Sequence, residues 1–197
     1  LDREAVQKLA KFLKSKNVLL IIDEVQTGVY RTGKFLASNY YDIEPDIVTL
    51  AKGLGGGVPI GVVMTSHKDI FNAGDHGSTF GGNFLSTTAA CEVIDILDEM
   101  HDDGTLQSAI DYFDSSLEKF YSAHRDIFTS KVGIGMMCGL RVKDGDTLAK
   151  IILKSREEGV IVLRAGRDTL RLLPALTITK EEIDEGFEAL NRVLSSL

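Results

Sequence analysis

Apolar residues fall in two different rhythms along the 197-residue chain. Val6, Leu9, Ala10 and Leu13 recur at helical spacing, and so do Ala89, Val93, Ile94 and Leu97 within 83–100. Between these stretches stand short, predominantly apolar runs: Val18–Ile22, Ile47–Leu50 and Ile60–Thr65. Apolar runs of that length suit strands covered on both faces, as in a parallel sheet between helices. The first half, 1–103, therefore predicts an α/β layer with its loops at the carboxyl ends of strands, where such folds place ligands.

Beyond Asp103-Gly104 the texture changes. A helical stretch at 106–124 precedes a β-type run at 132–142 that Gly133, Gly135 and Gly139 interrupt. A helix over 146–158, short strands at 160–163 and 169–172, and a last helix opened by the capping box Thr179–Glu182 complete the pattern. Residues 104–197 thus predict a smaller α+β domain. The opening helix feeds a buried parallel strand, which calls for an earlier strand beside it and hence for a longer polypeptide.

Composition narrows the function classes. A net charge of −7 with dispersed lysine and arginine argues against nucleic acid and anionic membranes as partners. No apolar run approaches the ~18 residues of a membrane helix. The two cysteines, Cys91 and Cys138, sit in apolar stretches and predict buried free thiols in a cytoplasmic protein. The four histidines lack metal-ligand spacing, and no nucleophile-elbow motif occurs.

The chemistry concentrates at strand ends. One apolar run delivers Asp23, with Gln26 just beyond; the next delivers Lys52 into Gly53-Leu54-Gly55-Gly56-Gly57. A lone lysine at a sheet edge is ordinarily a solvated residue, and an acid there ordinarily caps a helix. The pair is more informative. An amine so placed suits covalent carbonyl chemistry, and an acid beside a pyridine nitrogen keeps that nitrogen protonated. Phosphate-binding nucleotide loops do not fit, because here the lysine precedes the glycines. His76-Gly77-Ser78-Thr79-Phe80-Gly81-Gly82-Asn83 offers hydroxyls and amides ahead of a helix, suited either to an anion or to simple capping. Arg171, flanked by Leu170 and Leu172, requires either an internal carboxylate or a substrate's, while Arg164 and Arg167 read as solvated.

These segments, with Leu20–Gly28, Arg31-Thr32-Gly33-Lys34, Pro45-Asp46-Ile47 and Leu170–Leu176, resemble in order and spacing the class III (subgroup II) aminotransferases of fold type I. The resemblance spans essentially the whole chain but only the carboxyl-terminal half of the family. It implies a large-domain, mostly parallel mixed sheet followed by a small α+β domain. It also implies that Lys52 carries pyridoxal 5′-phosphate covalently. Asp23 would meet the pyridine nitrogen, Val25 would pack on the ring, and Gln26 would lie near its phenolic oxygen. Ser78 would stand near substrate, Thr79 would reach the phosphate of a neighbouring subunit in a homodimer, and Arg171 would hold the substrate α-carboxylate. An amino group would pass from an ω-amino donor to 2-oxoglutarate. Phe84 stands where the family usually has proline, which predicts an altered start to the following helix.

Overall fold

The computed structural model describes residues 1–197, which form two compact units, Leu1–Asp102 and Asp103–Leu197. No helix is long and apolar enough to cross a membrane.

In the first unit α1 (Arg3–Ser15) is capped by Asp2, whose side chain accepts from Ala5 N at 2.8 Å. β1 (Ile21–Asp23) begins three residues later than the apolar run predicts. The reason is local: Leu20 N donates to the Asp46 carboxylate at 2.7 Å rather than to a neighbouring strand. α2 (Ala37–Tyr41) precedes β2 (Ile47–Ala51), which leads directly into a 3₁₀ turn, Lys52–Gly55. β3 (Gly61–Thr65) and the long α3 (Phe84–Asp102) complete the unit.

The strand order is β1-β2-β3, with β1 parallel to β2 and β3 antiparallel to it. Of the three, only β2 is mostly buried; β1 and β3 are edge strands and largely exposed. Apolar runs do not encode strand direction, and an edge strand in a three-stranded sheet lacks the second neighbour that would bury it. α3 turns Ser86, Ala90 and Leu97 inward, with Val93 and Ile94 half-buried. Cys91 lies off that stripe and is exposed, contrary to the sequence expectation, whereas Cys138 is buried. Burial pushes the Cys138 thiol up to about 11.

The second unit has a closed core. α4 (Thr105–Ala123), β4 (Phe128–Ile134), β5 (Met137–Val142), α5 (Gly145–Glu157), β6 (Leu163–Ala165), β7 (Thr169–Leu172) and α6 (Lys180–Ser195) follow in sequence. The sheet order is β4-β5-β7-β6, antiparallel throughout. The glycine-interrupted run is a tight hairpin: Ile134 pairs with Met137, and Gly133 has φ +104° where a Cβ would lie 2.2 Å from Met137 O. One sheet face carries Cys138, Leu140, Leu170 and Leu172, all buried, and Leu117 of α4 with Leu148 and Ile151 of α5 are fully buried too. Each such leucine contributes roughly 1.5–3 kcal/mol through burial. The capping box stands as the sequence predicts, with Glu182 N donating to Thr179 Oγ1 and Thr179 N donating to Glu182 Oε2.

Candidate active site

Parallel pairing of β1 with β2 brings Asp23 opposite Thr49, so the acid and Lys52 leave the sheet at neighbouring carboxyl ends. Asp23 is anchored through one oxygen only. Its Oδ1 accepts from Val25 N at 3.0 Å and from Thr49 Oγ1 at 3.1 Å, and Oδ2 has no partner. An exposed carboxylate held by two donors and keeping one free oxygen is an oriented acceptor. Thr49, which no motif reading singled out, supplies half of that orientation; the parallel register alone reveals it.

Lys52 is exposed and makes no ion pair. Its backbone lies in the left-handed region, φ +49°, which costs a non-glycine residue roughly 1–3 kcal/mol. The strain is maintained from below. Leu54 is 3% exposed, and Gly56, at φ +58°, approaches α3 so closely that a Cβ would lie 2.9 Å from Val93 Cγ2. The buried turn therefore dictates how the lysine leaves the strand.

Val25 and Gln26 occupy the turn after β1, half-buried. Ser78 shares a cavity of about 1180 Å³ with Val25, Thr49, Ala51 and Asn83. Thr79 is exposed and no contact joins it to Asp23 or Lys52. Asn83 caps α3, accepting from Ser86 N at 3.0 Å, so the helix start needs neither hydroxyl of Ser78-Thr79. The helix also begins at Phe84 itself, which tolerates the missing proline because its ring points outward, 90% exposed.

Behind the site the segment Gly28–Tyr30 is packed tightly. Tyr30 OH donates to Asp98 Oδ1 at 2.6 Å, and its ring stands 5.0 Å from that of His101. Burial and that bond raise the phenol to about 12. Burial also lowers the Arg31 guanidinium from its usual value.

Arg171 belongs to the second unit. It forms no ion pair, and its Nε is buried without a partner, so the internal-salt-bridge reading fails. Arg141 shares its situation: the β5–β7 register pairs Gly139 with Arg171 and Arg141 with Thr169, setting both arginines on the sheet face opposite Leu140 and Leu170. Arg164 is exposed and donates to Gly145 O at 2.7 Å. Arg141 escaped sequence reading because only the strand register identifies its neighbour.

An exposed amine and a half-anchored carboxylate thus leave the sheet at adjacent ends of two parallel strands. Residues 2–194 match the class-III aminotransferases, and the chain belongs to that family. Class-III aminotransferases depend on pyridoxal 5′-phosphate. The chain is 50% identical over 196 residues to the acetylornithine aminotransferase of Wolinella succinogenes, covering 100% of this chain and 50% of that protein. It is 42% identical over 196 residues to that of Streptococcus mutans, covering 98% and 50%. Among solved structures, the acetylornithine aminotransferase of Elizabethkingia anophelis superposes with a TM-score of 0.88 at 29% identity, covering 100% of this chain and 50% of that one. The ornithine δ-aminotransferase of Plasmodium falciparum gives 0.86 at 31%, covering 99% and 52%. The chain spans about half the length of the curated relatives it matches.

The donor set fits the cofactor. Lys52 is an unpaired primary amine able to condense with an aldehyde, and Asp23 keeps an unshared oxygen for a protonated ring nitrogen.

Proposed function

We propose that this chain supplies the lysine and ring-nitrogen acid of a pyridoxal-phosphate transaminase acting on N-acetylornithine, or a related ω-amino donor such as succinyldiaminopimelate, with 2-oxoglutarate as acceptor. Its place would be arginine biosynthesis in the cytoplasm. Residues 1–103 are then the carboxyl-terminal part of the large cofactor-binding domain, and 104–197 the small domain. The observation that carries the reading is the pairing of a half-anchored Asp23 with a strained, unpaired Lys52 at adjacent parallel strand ends. The relatives' names and their identities supply the donor class.

Each residue has a defined task in this scheme. Lys52 would hold the cofactor covalently and, as a free amine, would take the proton from the substrate Cα in one half-reaction and deliver a proton to the Cα of the product amino acid in the other. Asp23 keeps the ring nitrogen protonated, while Val25 packs on the ring and Gln26 lies near its phenolic oxygen. The bound cofactor supplies an electron sink for the charge left at the substrate carbon. Arg171 grips the α-carboxylate; its buried, partnerless Nε suits a guanidinium reserved for a ligand. Ser78 faces substrate, and Thr79 reaches the phosphate bound by the second subunit of a homodimer.

The experiment is a donor panel on full-length protein: acetylornithine, succinyldiaminopimelate, ornithine and 4-aminobutyrate, each with 2-oxoglutarate. The highest kcat/KM should fall on acetylornithine, and the purified protein should be yellow and reducible by borohydride at Lys52. Preference for ornithine would transfer the assignment to the ornithine enzymes, which several structural neighbours represent. A colourless protein inactive on every donor would end it.

A further inference from the structure

Directly after Asp23 stands Glu24, a carboxylate that is only 1% exposed. It is fully employed. Oε1 accepts from Ser38 N at 2.8 Å, Oε2 accepts from Ala37 N at 3.0 Å, and Thr27 Oγ1 donates to Oε2 as well. Its backbone is committed too: Glu24 N donates to Thr49 O at 2.9 Å, and Glu24 O accepts from Gly28 N at 2.9 Å. Two elements far apart in sequence, the turn after β1 and the first turn of α2, are thus held to one buried side chain.

Asp23 precedes Glu24, and Val25 and Gln26 lie inside the turn that Gly28 N closes. The turn has no slack on its inner side. A Cβ on Gly28 would lie 2.5 Å from Leu50 Cδ2 and 2.9 Å from Glu24 O. On its outer side come two non-glycine residues in the left-handed region, Val29 at φ +56° and Tyr30 at φ +61°. For a β-branched residue this is a true outlier, and it persists only where surrounding bonds over-determine the backbone. Solvent reaches Asp23 but not Glu24.

We propose that Glu24 is a positioning residue for the cofactor site, setting Asp23, Val25 and Gln26 by clamping their turn to α2. This rests on the functional reading above. Hydrogen bonds to a charged acceptor are among the stronger ones, and a buried donor left without its acceptor is costly. Glu24→Gln keeps the shape but turns an amide NH₂ toward N–H or O–H donors, so the clamp loosens without a cavity.

The test uses full-length protein and three readings: cofactor dissociation constant, the pH titration of the bound cofactor's visible absorbance, and the Tm of cofactor-free protein. Glu24→Gln should weaken cofactor binding by about tenfold and displace the titration midpoint in the same direction as Asp23→Asn. Thr27→Val, which removes one donor from the clamp and is expected to fold, should move both readings the same way by less. A Glu24→Gln protein that melts earlier yet binds cofactor with parental affinity and midpoint would overturn the proposal, leaving Glu24 a purely structural acid. Should Glu24→Gln fail to fold, Thr27→Val decides by the same criterion. If the parent itself binds no cofactor, the functional assignment falls first and this inference with it.

Discussion

The sheet of the second unit buries Leu140 and Leu170 completely on one face, while its other face carries Arg141 and Arg171. The sheet of the first unit buries mainly β2 and leaves β1 and β3 open. Its order resides instead in turns: the Lys52–Gly55 turn against Val93, the Glu24 clamp on α2, and Tyr30 on Asp98. A closed apolar core fixes a sheet by area removed from water. A network of short bonds around strand ends fixes a few atoms, at the cost of backbone strain. Order therefore rests on different devices in the two units, and mutations should separate them.

Four changes, one of them with a matched control, probe that separation in order of expected effect. Lys52→Ala should lower turnover by about 10³-fold or more, since it removes both the covalent anchor and the proton shuttle. The Tm of the cofactor-free protein should hardly change or even rise, because alanine is no more strained than lysine at φ +49°. Borohydride trapping followed by intact mass checks the lost attachment. Leu140→Ala should do the reverse, destabilising the second unit by about 2–5 kcal/mol through a cavity. Urea melts would read the loss, and cofactor absorbance per folded molecule should be unaltered. A Leu140 variant that melts normally would contradict the closed-core description.

Arg171→Met should raise KM for amino acid substrates about 10–100-fold, the worth of hydrogen bonds to a charged group, with a smaller fall in kcat. Arg141→Met, on the same sheet face, is the matched control for lost charge alone. Equal effects of the two would deny Arg171 its special role.

The smallest effect concerns pH. Asp46 is held below the usual carboxylate range first by the Leu20 N–H and then by His67, whose Nε2 lies 2.8 Å from Oδ1. A depressed carboxylate contributes stability that is fully present above its unfolded value and is lost as pH falls through the folded one. Melting of the first unit should accordingly decline from about pH 4 downward. Asp46→Asn should flatten that limb, and the second unit's acid melting should be indifferent to the change.

Much of this organisation is legible in the residues themselves. The helix spacing of Val93, Ile94 and Leu97, the Thr179–Glu182 capping box, and the delivery of Asp23 and Lys52 by apolar runs all follow from local periodicity and local hydrogen-bonding chemistry. Such signals act over a few residues, so the sequence carries them directly. Other features needed partners distant in the chain. Cys91 was expected to be buried, yet α3 turns it outward because only the packed structure selects which stripe faces inward. Val18 and Leu19 are apolar enough for a strand, but Leu20 N is taken by Asp46, twenty-six residues on.

The sequence by itself determined the family and the delivery of a lysine and an acid by apolar runs, because residue identity and spacing are all that such recognition needs. Tertiary structure decided what those residues can do. Register alone set Thr49 against Asp23, and packing alone twisted Lys52 into the left-handed region. Burial turned Glu24 from one more acid in a motif into the acceptor for two elements. Each of these depends on pairing or exclusion of water between segments far apart in sequence, and a linear pattern does not encode distance.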